Sequence, residues 1–203
     1  MDRIYKNGIA VAPHHEAAKT AAHLLREGGN AIEAMVGAAA SIAAVYPHMT
    51  AIGGDAFWLI NQPGKVPVAI DACGAASAQA TIDFYKLAGH EAIPIRGPLA
   101  ANTIAGTISG WESALMISKQ WGGKLPLSAI LENAIRFARE GIVVTNSQYA
   151  STSGKVGELK SQPGFAESFL VNGEAPAAAS NFKMPRLAAT LEHLAKKGLA
   201  DFY

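Results

Sequence analysis

Three residues close together, Asp71, Cys73 and Gly74, place a carboxylate, a thiol and a glycine in one short stretch. A carboxylate can accept from a substrate N–H or move a proton, and a thiol becomes a nucleophile once ionised. Glycine lets a ligand approach the backbone. No basic residue adjoins Cys73 to lower its pKa, so it reads as a small side chain in the small-residue loop 72–80 (ACGAASAQA) rather than as a catalytic thiol. Asp55 and Asp71 flank two apolar runs, where they would cap turns or order that loop. No residue of the chain is assigned as catalytic.

Other clusters point less far. His14-His15-Glu16 lacks the i, i+4 spacing of helical metal ligands and stands ahead of a helix start, so no metal site is expected. The glycine pairs Gly28-Gly29 and Gly53-Gly54 could cradle an anion at a helix start. Neither lies in a G-x-x-x-x-G-K-[ST] or G-x-G-x-x-G pattern, and no cofactor is expected.

The elements that must position these residues are legible in outline. Residues 9–12 (IAVA) read as a strand stopped by Pro13. Glu16, Ala17, Ala21, Leu24 and Leu25 then recur at helical spacing, up to a glycine stop at Gly28-Gly29. Asn30 caps a following helix over 31–45, apolar nearly all round and therefore buried, which Pro47 ends. Residues 57–60 and 66–71 read as two strands joined by the turn Gln62-Pro63-Gly64-Lys65, an antiparallel hairpin. Thr81 caps a short helix to Leu87. The small, β-branched stretch 101–108 runs into an amphipathic helix over 111–121, stopped by Gly122-Gly123. A helix from Pro126 ends at Gly141, residues 147–164 read as a polar, mobile helix–loop, and residues 185–197 form a last helix. There is no internal repeat and no low-complexity linker.

Composition narrows the classes. With 203 residues, half of them hydrophobic and 16% charged, the chain can bury a sizeable core and is not disordered. Lys and Arg (17) balance Asp and Glu (16), so no global field draws nucleic acid or an anionic membrane. The apolar segment 31–45 is too short and alanine-rich to span a bilayer, which needs roughly 20 strongly apolar residues. The single cysteine excludes an internal disulfide and a multi-cysteine zinc site. The first 15 residues show no signal-peptide core, so a cytoplasmic location is expected.

An ordered set of motifs resembles the γ-glutamyltranspeptidase family of N-terminal-nucleophile hydrolases. Ala12-Pro13-His14, Gly28-Gly29-Asn30-Ala31-Ile32-Glu33-Ala34, Pro47 with Gly53-Gly54-Asp55-Ala56-Phe57, and Val68-Ala69-Ile70-Asp71 follow one another as in that family. Gly106-Thr107-Ile108-Ser109-Gly110-Trp111, 170–173, 185–189 and 201–203 continue the match. The resemblance implies an α+β fold, a four-layer αββα sandwich in the whole enzyme, of which this chain is the helix-rich N-terminal portion: one incomplete domain over 1–203. It implies a much longer precursor that cleaves itself, exposing an N-terminal threonine nucleophile on a second subunit that this chain does not contain. These residues alone would then be inactive, the partners being that second subunit and a small-molecule amide substrate.

The resemblance also implies that the loop bearing Asp71, Cys73 and Gly74 binds substrate. γ-Glutamyl-specific members carry an arginine in this loop, whose fork pairs with the substrate α-carboxylate. Here the stretch is Asp71-Ala72-Cys73-Gly74-Ala75-Ala76, and the next arginine, Arg96, stands in a different context. Glutathione-type specificity is therefore not expected, and β-lactam side chains or amides of small oxo-acids such as oxamate fit better. Two other readings stay open: a non-catalytic assembly module on the same fold, and an unrelated α/β enzyme holding an anionic ligand at its glycine corners.

Overall fold

The computed structural model describes residues 8–203 and shows a helix-rich α+β arrangement built around the buried alanine-rich helix. Helix α1 (His15–Arg26) is followed by α2 (Ala31–Val45), a hairpin of β1 (Ala56–Ile60) and β2 (Val68–Ala72), and short α3 (Ile82–Leu87). Then come α4 (Thr107–Gln120), α5 (Leu127–Glu140), β3 (Ile142–Val143), α6 (Asn146–Ser153), α7 (Val156–Leu159) and α8 (Phe165–Phe169). β4 (Asn181–Phe182), α9 (Pro185–Lys197) and a 3-10 turn (Leu199–Phe202) complete the order. No helix among the described residues is long and apolar enough to cross a membrane.

Helix α2 is the hub because nearly every side chain on it is small or aliphatic. It packs against α1, α4 and α5, and α5 in turn packs against α9. The main core joins Val36 and Ala40 of α2 to Ile108 and Trp111 of α4, Ile130 and Leu131 of α5, and Leu191 of α9. Burying each aliphatic side chain of this size contributes about 1.5–3 kcal/mol.

Asn30 starts α2 with a reciprocal cap. Its side-chain oxygen accepts from the amides of Ile32 (3.0 Å) and Glu33 (3.1 Å), while Glu33 accepts from the Asn30 amide at 2.8 Å. The Asn30 amide group also donates to Ser118 Oγ (2.9 Å), which ties the start of α2 to the end of α4.

The two strands pair antiparallel in the register Phe57↔Asp71 and Trp58↔Ile70. Alternation along a strand sends successive side chains to opposite faces. Trp58 and Ile70 pack on the main core. Phe57 and Leu59 point away and are 72% and 80% exposed. The second strand begins at Val68 rather than Val66, because Pro67 has no N–H to give a ladder.

Two expectations need correction, and a third is made more definite. Residues 9–12 form no strand: Ile9 and Val11 stand exposed, with no neighbouring strand among the described residues to pair them. Helix α4 starts at Thr107, four residues before the amphipathic pattern, because Thr107 is anchored by its tertiary hydrogen bonds to Gly54 O through its amide (2.9 Å) and hydroxyl (2.8 Å). The stretch 147–164 divides between α6 and α7, with α6 capped by Thr145.

Candidate functional site

The predicted loop leaves β2 at the end of the hairpin that lies nearest the glycine corner 53–54. Asp71 sits inside β2, opposite Phe57, and Cys73 follows on the same outward face. Asp55 immediately precedes β1. All three predicted residues therefore come together here, with Asp55 beside them.

A short network fixes the loop. The Cys73 amide donates to Asp71 Oδ1 at 3.1 Å, and the Gly74 amide reaches Asp55 Oδ1 at 3.5 Å. The loop then runs against the strand-like stretch before α4: Ile104 N donates to Ala75 O at 3.1 Å, and Ala76 bridges to Thr103. Backbones approach so closely that a Cβ on Gly74 would overlap the Ile104 carbonyl, and one on Gly106 would overlap the Ala72 carbonyl. Glycine at both positions is a steric requirement of this seam.

Beyond the seam, residues 77–102 make an excursion that returns to the same place. Ser77 N donates to Asn102 O at 3.2 Å, and the Tyr85 hydroxyl donates to Leu99 O at 2.9 Å. On the other flank, the Tyr203 hydroxyl donates to Ala105 O (2.6 Å) and accepts from Ser109 N (3.1 Å), pinning the start of α4. This tether is invisible in sequence, since it joins residues 94 apart.

The electrostatics of the loop oppose nucleophilic cysteine chemistry. The hydrogen bond between Cys73 and the Asp71 carboxylate, with burial and the nearby Asp55 charge adding, pushes the thiol up to about 11. At neutral pH it is a protonated donor. Among the described residues no cation is bonded to the loop, and Arg96 is engaged elsewhere, with Glu158 at 2.6 Å. What the loop can do is accept: the carboxylates of Asp55 and Asp71 stand side by side on its exposed face.

The remaining candidates have structural work. His14 Nδ1 caps α1 by accepting from Glu16 N at 3.2 Å, and its ring stacks on His15 at 4.6 Å. Glu16 is held by Lys19 at 2.8 Å. The described residues contain no group of three or more His, Cys, Asp or Glu side chains placed to hold a metal ion. Gly28-Gly29 ends α1, as the sequence indicates, with the Gly29 amide bonded to Leu24 O at 2.9 Å.

The acid of the Gly28–Ala34 motif, to which the sequence assigns no role, has a structural one. Glu33 is 2% exposed, and besides capping α2 it accepts from Leu125 N at 2.9 Å. The signal was present as Asn30-Ala31-Ile32-Glu33, a capping-box spacing.

Comparison with known proteins gives a consistent picture. The sequence profile described as Gamma-glutamyltranspeptidase matches residues 17–203. The oxamate amidohydrolase proenzyme of Klebsiella pneumoniae is 56% identical over 198 residues, covering 97% of this chain and 37% of its own length. The glutathione hydrolase-like YwrD proenzyme of Bacillus subtilis is 37% identical over 196 residues, covering 96% of this chain and 36% of its own length. Among solved structures, the γ-glutamyltranspeptidase of Helicobacter pylori superposes with a TM-score of 0.87 at 26% identity, over 98% of this chain and 56% of that one. The chain thus spans little more than a third of the length of the curated relatives it matches.

Proposed function

The chain belongs to the γ-glutamyltranspeptidase family, and from that premise we propose that it is the N-terminal part of an autoprocessing amide hydrolase or acyltransferase. Its nucleophile is a threonine freed at the N-terminus of a second part. The free α-amino group has a pKa near 8 and serves as base for the hydroxyl of its own residue. The threonine oxygen attacks the amide carbon and its proton passes to the amino group. The proton is then delivered to the leaving amine. Water, or an acceptor amine, takes the acyl group and restores the hydroxyl.

One observation carries this reading: Asp55, Asp71 and Cys73 stand on the same outward sheet face as exposed Phe57 and Leu59. A polar substrate loop adjoining an uncovered apolar strip is what half a site looks like when its other half lies on a further polypeptide. Asp71, Cys73 and Gly74 are the substrate-binding residues in this proposal. Asp55 and Asp71 accept from the carbamoyl N–H groups of a primary amide.

The substrate class follows from what the loop lacks. Without a guanidinium fork it offers no bidentate partner for the α-carboxylate of a glutamyl donor. That counts against a glutamyl donor, and the 56% identity to the Klebsiella pneumoniae relative leads us to favour amides of small oxo-acids, the class in its name, whose own carboxylate would be met outside this loop. The test uses full-length protein. Mass spectrometry should find two chains produced by self-cleavage, and ammonia release from oxamate should far exceed hydrolysis of a γ-glutamyl anilide. Robust anilide turnover would overturn the substrate assignment. An uncleaved protein that releases no ammonia would favour the non-catalytic assembly module instead.

A further inference from the structure

We infer that the Gly53-Gly54 corner is a docking platform for an extended segment of the part of the proenzyme that lies outside these 203 residues. This rests on the proposed second part, and adds where and how that part is held.

The argument starts from glycines that the fold does not require. Gly74 and Gly106 are demanded by backbone contact, and turn glycines such as Gly64 and Gly122 adopt positive φ. Gly53 and Gly54 do neither: their φ values lie outside the left-handed region, and a Cβ on either would meet nothing within 4 Å. The other such glycine, Gly157, lies on the solvated single turn α7. Any small residue would satisfy the chain at 53 and 54. A bare backbone at two successive positions, with free space in front of it, suits the close approach of another backbone.

The platform is anchored to α4, and its donors are free among the described residues. The Gly54 carbonyl accepts twice from Thr107, which locks the corner onto α4. The amides of Gly53 and Gly54 bond to no acceptor among the described residues. In front of them opens a cavity of about 500 Å³. Met35 and Ile42 of α2, Met49, Phe57, Trp58 and Trp111 are among its lining residues. Met35 and Met49 are 43% and 66% exposed. Methionine walls adapt to the side chain presented to them.

This chemistry selects a polypeptide over a small polar amide. Two backbone donors beside an apolar groove match a strand's carbonyl followed by an apolar side chain, the pattern of β-strand addition. Asp55 at the rim disfavours an acidic residue there. The relatives supply the occupant, since nearly two thirds of their length lies beyond this chain's match.

Residue-resolved hydrogen exchange on full-length protein tests this directly. The Gly53 and Gly54 amides should exchange on the order of a hundredfold more slowly than that of Gly157, as expected for amides hydrogen-bonded in a folded interface. Gly53→Val should weaken association of the two parts, seen as dissociation at higher protein concentration in sedimentation, whereas Gly157→Val should not. Exchange at 53 and 54 as fast as at Gly157 overturns the inference, even in a protein that cleaves itself and releases ammonia. Should Gly53→Val fail to accumulate, the wild-type exchange still decides. Protection in a protein lacking both activities would leave the docking standing and remove only the enzymatic reading.

Discussion

Glu33 and Leu125, 92 residues apart in sequence, are joined by a carboxylate-to-amide hydrogen bond of 2.9 Å. The same carboxylate accepts from Asn30, so one buried side chain closes both the start of α2 and the loop between α4 and α5. Glu33→Ala leaves two amides without their acceptor and a void at the hub. It should lower stability by about 2–4 kcal/mol, from the desolvation of unsatisfied donors. Chemical denaturation of full-length protein checks this, and a shift no larger than that of a surface alanine substitution would refute it.

The seam at Gly74 predicts a sharp steric effect. A methyl group there meets the Ile104 carbonyl, which is backbone and cannot rotate away. Gly74→Ala should cost about 1–3 kcal/mol, in the range of overpacked sites. Because the loop must shift, the amidase activity proposed for the full-length protein should fall well below that of Gly157→Ala. Equal activities would show that the loop's position is not needed.

Cys73 is exposed, yet its thiol is pushed up to about 11 by Asp71 and Asp55. Alkylation by iodoacetamide at pH 8 should be slower than for an unstructured cysteine, because the thiolate is the reacting species. Asp71→Asn should accelerate it. A wild-type rate equal to that of a free thiol would contradict this account.

His48 adds a pH dependence. It bonds Ser147 Oγ at 2.9 Å, linking the turn after α2 to the first turn of α6, and burial holds its pKa below the ordinary 6.5. Between the folded value and 6.5 the unfolded chain binds more protons than the folded one, so stability rises with pH through that window. The contribution is complete above 6.5 and is lost as pH falls below it. Melting temperatures should drop from pH 7.5 to 5.5, and His48→Gln should drop less. An identical slope in the variant would assign the effect elsewhere, with His14, whose pKa burial also lowers, the next imidazole to vary.

Much of the scaffold could be read from local chemistry. Asn30, Pro126 and the glycines after α1 and α5 mark helix limits through capping and backbone freedom, which act within a few residues. The loop of Asp71, Cys73 and Gly74 was found for the same reason, as a run of small residues after a strand. Contacts between distant residues were not legible. Thr107 extends α4 only because Gly54 is there to accept from it. The two-residue strands β3 and β4 carry no pattern of their own and form where Ile142 meets Phe182.

The excursion 77–102 leaves and returns through a neck pinned by the Ala76–Thr103 bridge and the Ser77–Asn102 hydrogen bond. Its two ends are held together whatever lies between them. Lengthening such a closed loop adds only about 0.6 kcal/mol of closure entropy for each doubling. Apart from the Arg96–Glu158 ion pair, the excursion is thus a replaceable cassette beside the loop of Asp71, Cys73 and Gly74: evolution or an engineer can exchange it to reshape the rim, while the seam at Gly74 and Gly106 keeps the floor in place.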